Sequence, residues 1–174
     1  MTAFFERIAE SPAICDKARG ADIIDSLTKA LGASPEIAPA AKLLRDEPKV
    51  RDLIVGVLAC APYLAAIAQR DPSLLADCLI RDPDAHLEQA SAELSAAAEA
   101  AKTPKEAMAA LRRYKRRIAL LVGLADLGGV WPTEAVLRAM SVAAEAAHGP
   151  HVAAGDRRDG HRWTSGCGAH AANG

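Results

Sequence analysis

Leu, Ile and Met side chains recur along this chain at helical spacing and then stop before Ala147. From His148 to Gly174 there is no Leu, Ile, Met, Phe or Tyr, and the same stretch holds Gly149, Gly155, Gly160, Gly166, Gly168 and Gly174. A segment of that kind buries too little apolar surface to offset its chain entropy. The expectation is a folded unit over residues 1–147 and a disordered or poorly packed Gly/His-rich tail over residues 148–174. The change falls inside an apolar helical run with no stop signal before it, as a reading frame lost within a helix would look. The tail is therefore read as out of frame, and the chain as the front part of a longer protein.

Within the first 147 residues the period is helical. Ile23, Ile24, Leu27 and Leu31 follow one another at three- and four-residue steps, with Gly32 as a stop. Breaks are expected at Ser34-Pro35-Glu36 and Glu47-Pro48. A further helix from Lys49 carries Leu53, Ile54, Val57 and Leu58 on one face, and Pro62 ends or restarts it. Asp71-Pro72 is an N-cap followed by a proline at the first helical position, where a missing N–H does no harm, and that helix closes before Asp82-Pro83. Thr103-Pro104-Lys105-Glu106 is a sharper start, with Glu106 placed to return a capping-box hydrogen bond. From there Met108, Leu111, Ile118, Leu121, Val122 and Ala125 trace an apolar stripe as far as Gly128-Gly129, and a last helix runs from Thr133 through Val136, Leu137 and Met140. The Ala- and Glu-rich stretch from Ser91 to Lys102 is either an exposed helix or a soft joint between two subdomains. No alternating strand pattern or hairpin dipeptide is present, so the fold class is all-α, a multi-helix domain.

Composition narrows the setting. Hydrophobic residues make up 51% of the chain and aromatics only 3%, which leaves a core of Leu, Ile, Val and Ala. A formal net charge of -1 argues against bulk electrostatic capture of nucleic acid or of an anionic membrane. Glu6 and Arg7 interrupt what a signal peptide would need as an apolar stretch, and the run Leu53 to Ala68 falls short of the ~20 residues that cross a bilayer. Cys15, Cys60 and Cys78 sit among apolar residues, as small buried hydrophobes do in a reducing compartment. The expected location is the cytoplasm.

Three patterns could carry chemistry. The basic run Arg112-Arg113-Tyr114-Lys115-Arg116-Arg117 sets Arg112 with Arg116, and Arg113 with Arg117, one helical turn apart. It is either a contact for phosphate, nucleotide or RNA, or a solvated face paired with acidic neighbours. In the tail, His148, His151, His161, Cys167 and His170 have zinc-like spacings but no supporting apolar residues, so no metal site is assigned. Gly123 and Gly128-Gly129 follow a helix rather than a strand, which makes them a helix C-terminus and turn instead of a phosphate loop. There is no Ser-His-Asp set and no pair of carboxylates on a shared wall. Catalytic, cofactor-binding and metal residues are all expected to be absent.

Two stretches nonetheless have a specific look. Cys60-Ala61-Pro62-Tyr63-Leu64, followed by Gln69-Arg70-Asp71-Pro72-Ser73-Leu74-Leu75, resembles a signature near the N-terminus of bacterial glutamine synthetase adenylyltransferases. The stretch from Leu111 to Ala147, with its arginine-rich start and its Ala125-Asp126-Leu127-Gly128 segment, resembles the helix pair that precedes the first catalytic core of that family. The likeness spans most of Ile24 to Ala147. It departs from the family at Cys60-Ala61, where a Ser is usual, and at Ala119-Leu120-Leu121, which is more apolar.

The resemblance implies a two-headed regulator of nitrogen assimilation. One nucleotidyltransferase domain removes AMP from glutamine synthetase by phosphorolysis, a second attaches it from ATP, and a PII signal protein sets the balance. Each would hold magnesium ions with paired aspartates, as metal-assisted phosphoryl chemistry requires. In this chain that ground is taken by the tail, where Asp156 and Asp159 are not in a strand, so no catalytic residue carries over. The resulting expectation is a truncated N-terminal segment, inactive by itself, with glutamine synthetase and a PII protein as partners and no membrane or nucleic-acid partner. The alternative is a small helical protein- or RNA-binding module using the basic helix 111–117.

Overall fold

Prolines write most of the helix starts. The computed structural model describes residues 2–14 and 16–147, and among them are eight helices and no strand. They are α1 Lys17–Gly32, α2 Ala38–Asp46, α3 Pro48–Cys60, α4 Pro62–Arg70, α5 Pro72–Ile80, α6 Pro83–Ala100, α7 Pro104–Leu127 and α8 Thr133–Ala147, preceded by a 3-10 turn at Phe4–Arg7. Five of the eight open on a proline, which cannot donate the hydrogen bond a continuing helix would need. Pro62 restarts a helix rather than ending one. The all-α expectation holds for the described residues; the tail 148–174 and its histidines lie outside them.

Capping side chains reinforce four of the starts, those of α1, α5, α6 and α7. Asp16 accepts from the Arg19 N–H at 2.9 Å, Asp71 from the Leu74 N–H at 3.3 Å, and Asp82 from the N–H groups of Asp84 and Ala85 at 3.1 Å each. The bond from Ala85, above all, holds the Asp82 carboxyl below the usual carboxylate range. At the start of α7, Thr103 accepts from the Glu106 N–H at 3.3 Å, as expected. The returning bond lands one residue early: the Glu106 carboxylate accepts from the Lys102 N–H at 2.8 Å.

Two apolar clusters result. The main core joins α1 to α5 with the C-terminal half of α7 and the start of α8, around Leu27, Leu53, Leu58, Leu75, Leu121 and Leu124, all 0% exposed. A smaller cluster, made of Ala90 and Leu94 from α6 with Ala110, Leu111, Tyr114 and Ile118 from α7, lies beside it. Ser91 to Lys102 is therefore not a joint: most of it continues α6, one face of which packs along α7.

Several expected faces turn differently. Met108 is exposed, and Tyr114 and Leu124 take the buried positions along α7. On α8, Val136 and Ala139 face inward, whereas Leu137 and Met140 are 60% and 56% exposed. Cys78 is buried as expected, but Cys60 is exposed and disulfide-bonded. Gly128 and Gly129 form the turn after α7, with Gly129 at φ 60°, a conformation that favours glycine. Gly123 is not part of that turn. It sits inside α7, where a Cβ would come within 2.8 Å of Leu64 Cδ1, so its lack of a side chain lets α4 approach.

Residues 2–10 lie across two turns. The Phe4 N–H donates to the Arg81 carbonyl at 2.9 Å, and those of Ala9 and Glu10 donate to the Gly128 carbonyl at 2.9 and 3.1 Å. Arg7 bridges the same places, pairing with Asp84 at 2.8 Å and donating to the Val130 carbonyl at 3.2 Å. Among the described residues no single helix is long and apolar enough to cross a membrane; α3 and α4 are sufficient together but bend by 117°.

Candidate functional site

The two stretches singled out in the sequence meet in space. The turn between α4 and α5, carrying Asp71, faces the arginine-rich half of α7, and α6 closes the third side. Between them lies a cleft of about 210 Å³ whose polar lining is Asp71, Glu93, Arg113, Tyr114, Arg116 and Arg117. A shallower hollow continues from it past Arg70 and Ile67, and shares Asp71 and Arg116.

Arg117 is the cation the fold neutralises. Its Nη1 donates to Glu93 Oε2 at 2.6 Å, and its Nε donates to His86 Nε2. Glu93 is further fixed by Gln89, whose amide donates to Oε1 at 2.7 Å. Because His86 accepts through Nε2, its proton sits on Nδ1. That atom makes no hydrogen bond, although the Asp77 carbonyl and carboxylate lie close enough to favour the charged ring. Burial wins: the His86 pKa is pushed down to about 4, by desolvation first and by the Arg117 charge second. His86 is thus a neutral acceptor that positions Arg117.

The other cations behave differently. Arg112, Arg113, Lys115 and Arg116 have no ion pair among the described residues. Arg112, Arg113 and Lys115 are exposed, and Arg116 is half-buried at the cleft. Of the two readings of this run, pairing with acidic neighbours applies to Arg117 alone. Tyr114, within the same run, is 4% exposed, and its hydroxyl shares a hydrogen bond of 3.1 Å with Ser91.

Sequence reasoning missed His86, Glu93 and Ser91. The partners of Arg117 lie 24 and 31 residues away, and a single histidine or glutamate in an Ala-rich helix carries no spacing signal. Cys78 is no nucleophile, since burial pushes its thiol up to about 12. Among the described residues no three His, Cys, Asp or Glu side chains converge on a point that could hold a metal ion. The cleft's donor set, two hydrogen-bonded carboxylates beside three arginines, does not fit magnesium. Asp156 and Asp159 lie outside the described residues.

The family model described as glutamate-ammonia ligase adenylyltransferase matches residues 51–163. Proteins named bifunctional glutamine synthetase adenylyltransferase/adenylyl-removing enzyme are similar to this chain. The one from Bradyrhizobium diazoefficiens is 40% identical over 111 residues, covering 63% of this chain and 11% of that protein. The one from Xanthobacter autotrophicus is 33% identical over 138 residues, covering 79% and 14%. A third, from Rhodopseudomonas palustris, is 34% identical over 113 residues, covering 64% and 11%. This chain therefore spans 11 to 14% of the length of these relatives. No solved structure matches it. The matched span contains the α4–α5 turn, α5, α6 and α7, whose side chains form the cleft, and on it the chain belongs to the glutamate-ammonia ligase adenylyltransferase family.

Proposed function

We propose that this chain is an N-terminal helical segment of a bifunctional glutamine synthetase adenylyltransferase/adenylyl-removing enzyme, without a nucleotidyltransferase centre of its own. The observation that carries this reading is the cleft itself. The two family-like stretches pack against each other in one helical unit, and they bring a single carboxylate, Asp71, to Arg113, Arg116 and Arg117 rather than a pair of carboxylates to each other. Metal-assisted transfer of AMP needs carboxylates that hold the cations around the phosphates. An arginine-lined wall can orient an anionic group but cannot replace them. Glutamine synthetase is then the protein acted on, a PII protein the regulator, and the cytoplasm the compartment. ATP and magnesium are held by domains of the longer relatives that this chain does not span.

The test is turnover by the purified chain. With glutamine synthetase, ATP and magnesium it is expected to attach no AMP; with adenylylated glutamine synthetase, phosphate and magnesium it is expected to release no ADP. Turnover in either direction would overturn the reading.

A further inference from the structure

The basic run on α7 leaves a question of charge. Five cations within six positions repel one another, most strongly the pairs one turn apart. The fold relieves one of them, through Glu93 and His86. Of the two carboxylates on the wall of the cleft, Glu93 is engaged through both oxygens and Asp71 through one. Asp71 Oδ1 accepts from the Ser73 hydroxyl at 2.6 Å and from the Leu74 N–H at 3.3 Å, and both oxygens of Glu93 are taken by Gln89 and Arg117. Arg113 and Arg116 line the same cleft without an ion pair among the described residues, three arginines there outnumber the carboxylates Asp71 and Glu93, and Arg70 joins Arg116 at its mouth. A half-buried guanidinium without a partner is unfavourable, and its planar fork suits a tetrahedral oxyanion. The positive field is local, because the whole chain carries a formal net charge of -1.

We infer that the cleft between the α4–α5 turn, α6 and α7 is a binding subsite for a phosphate-class oxyanion, held by Arg113 and Arg116 with Arg70 at its mouth. Its volume of about 210 Å³ admits a phosphate or the phosphate end of a larger molecule. A nucleic-acid strand is a poorer fit: Tyr114, the one aromatic residue of the basic run, is buried and its hydroxyl is engaged, so it offers no face on which a base could stack. This inference stands on the cleft alone and does not depend on the proposed enzyme.

Calorimetric titration of the full chain with sodium phosphate, at ionic strength held constant with chloride, tests it. Saturable binding is expected, weakened about ten-fold or more by Arg116→Gln through the loss of a charge-assisted bidentate contact. Arg112→Gln removes the same charge from an exposed position that does not line the cleft, and should change affinity less than about two-fold. Arg113→Gln repeats the test at an exposed position should Arg116→Gln melt early by circular dichroism. AMP serves as a second probe. Binding much tighter than phosphate marks a nucleotide as the carrier of the anion, and equal binding marks the free ion; both support the subsite. No saturable binding would overturn it. So would equal weakening by Arg112→Gln, or a single-stranded RNA that binds in a manner phosphate cannot displace.

Discussion

The two halves of α7 live in different surroundings. Its C-terminal half, with Leu120, Leu121, Leu124 and Ala125 all 0% exposed, is packed on several sides by α3, α4 and α5. Its N-terminal half meets mainly α6, through a cluster of six residues in which three are Ala or Tyr and none is fully buried. Large aliphatic side chains dominate the first region. Alanines in the second leave room for the Ser91–Tyr114 and His86–Arg117–Glu93 contacts and for the cleft. One helix thus joins a region organised for stability to one organised around charge.

That contrast can be broken by mutation. Leu124→Ala should cost about 4 kcal/mol in a urea titration, from lost burial plus the cavity left in a closely packed site. Leu94→Ala, in the smaller cluster, should cost about 2 kcal/mol, because α6 is packed on fewer sides and can settle inward. Equal losses would mean the two regions are one core.

Acid should act on the second region. His86 has a folded-state pKa depressed to about 4, so as pH falls below about 6.5 the unfolded chain takes up the proton first. Stability should be level with respect to this group above pH 6.5. It should fall between about pH 6.5 and 4, by roughly 3 kcal/mol at most, and not change further below that. The charges facing the ring are Arg117 and Arg81, which oppose protonation, and Asp77, which favours it. Urea midpoints measured across that window, with His86→Gln lacking the slope, check the prediction. A slope unchanged in the variant would assign it to other groups.

The smallest effect concerns the start of α7. Thr103→Ala removes the cap on the Glu106 N–H and should lower stability by about 1 kcal/mol. Amide exchange should quicken at the first turn of α7 while Leu121 and Leu124 stay protected.

How much of this was legible depended on range. Local signals carried the starts of α5 and α7, because Asp71-Pro72 and Thr103-Pro104 act on neighbours within three residues. Facing was harder. Along α8 the apolar residues Val136, Leu137, Ala139 and Met140 fit more than one stripe, and contacts with α7 and α6 decide that Val136 and Ala139 turn inward. Met108 was misread for the same reason, since Ala110 and Tyr114 form the face that meets α6. The short α2, Ala38–Asp46, was bracketed by its breaks but not recognised. The arginine run was visible as charge. That only Arg117 is neutralised was not, because its partners are fixed by how α6 lies on α7.

The clamp made by residues 4–10 has a consequence for synthesis. Arg7 leaves the ribosome well before its partner, since the Val130 carbonyl it bonds follows 123 residues later. At about 5–20 residues per second, that is a wait of about 6 to 25 seconds. Throughout it Phe4, 0% exposed in the finished fold, lacks part of its resting place. The Phe4–Arg7 turn is thus among the last parts of this helical unit to be secured, and until then an unshielded aromatic segment is open to whatever attends the growing polypeptide.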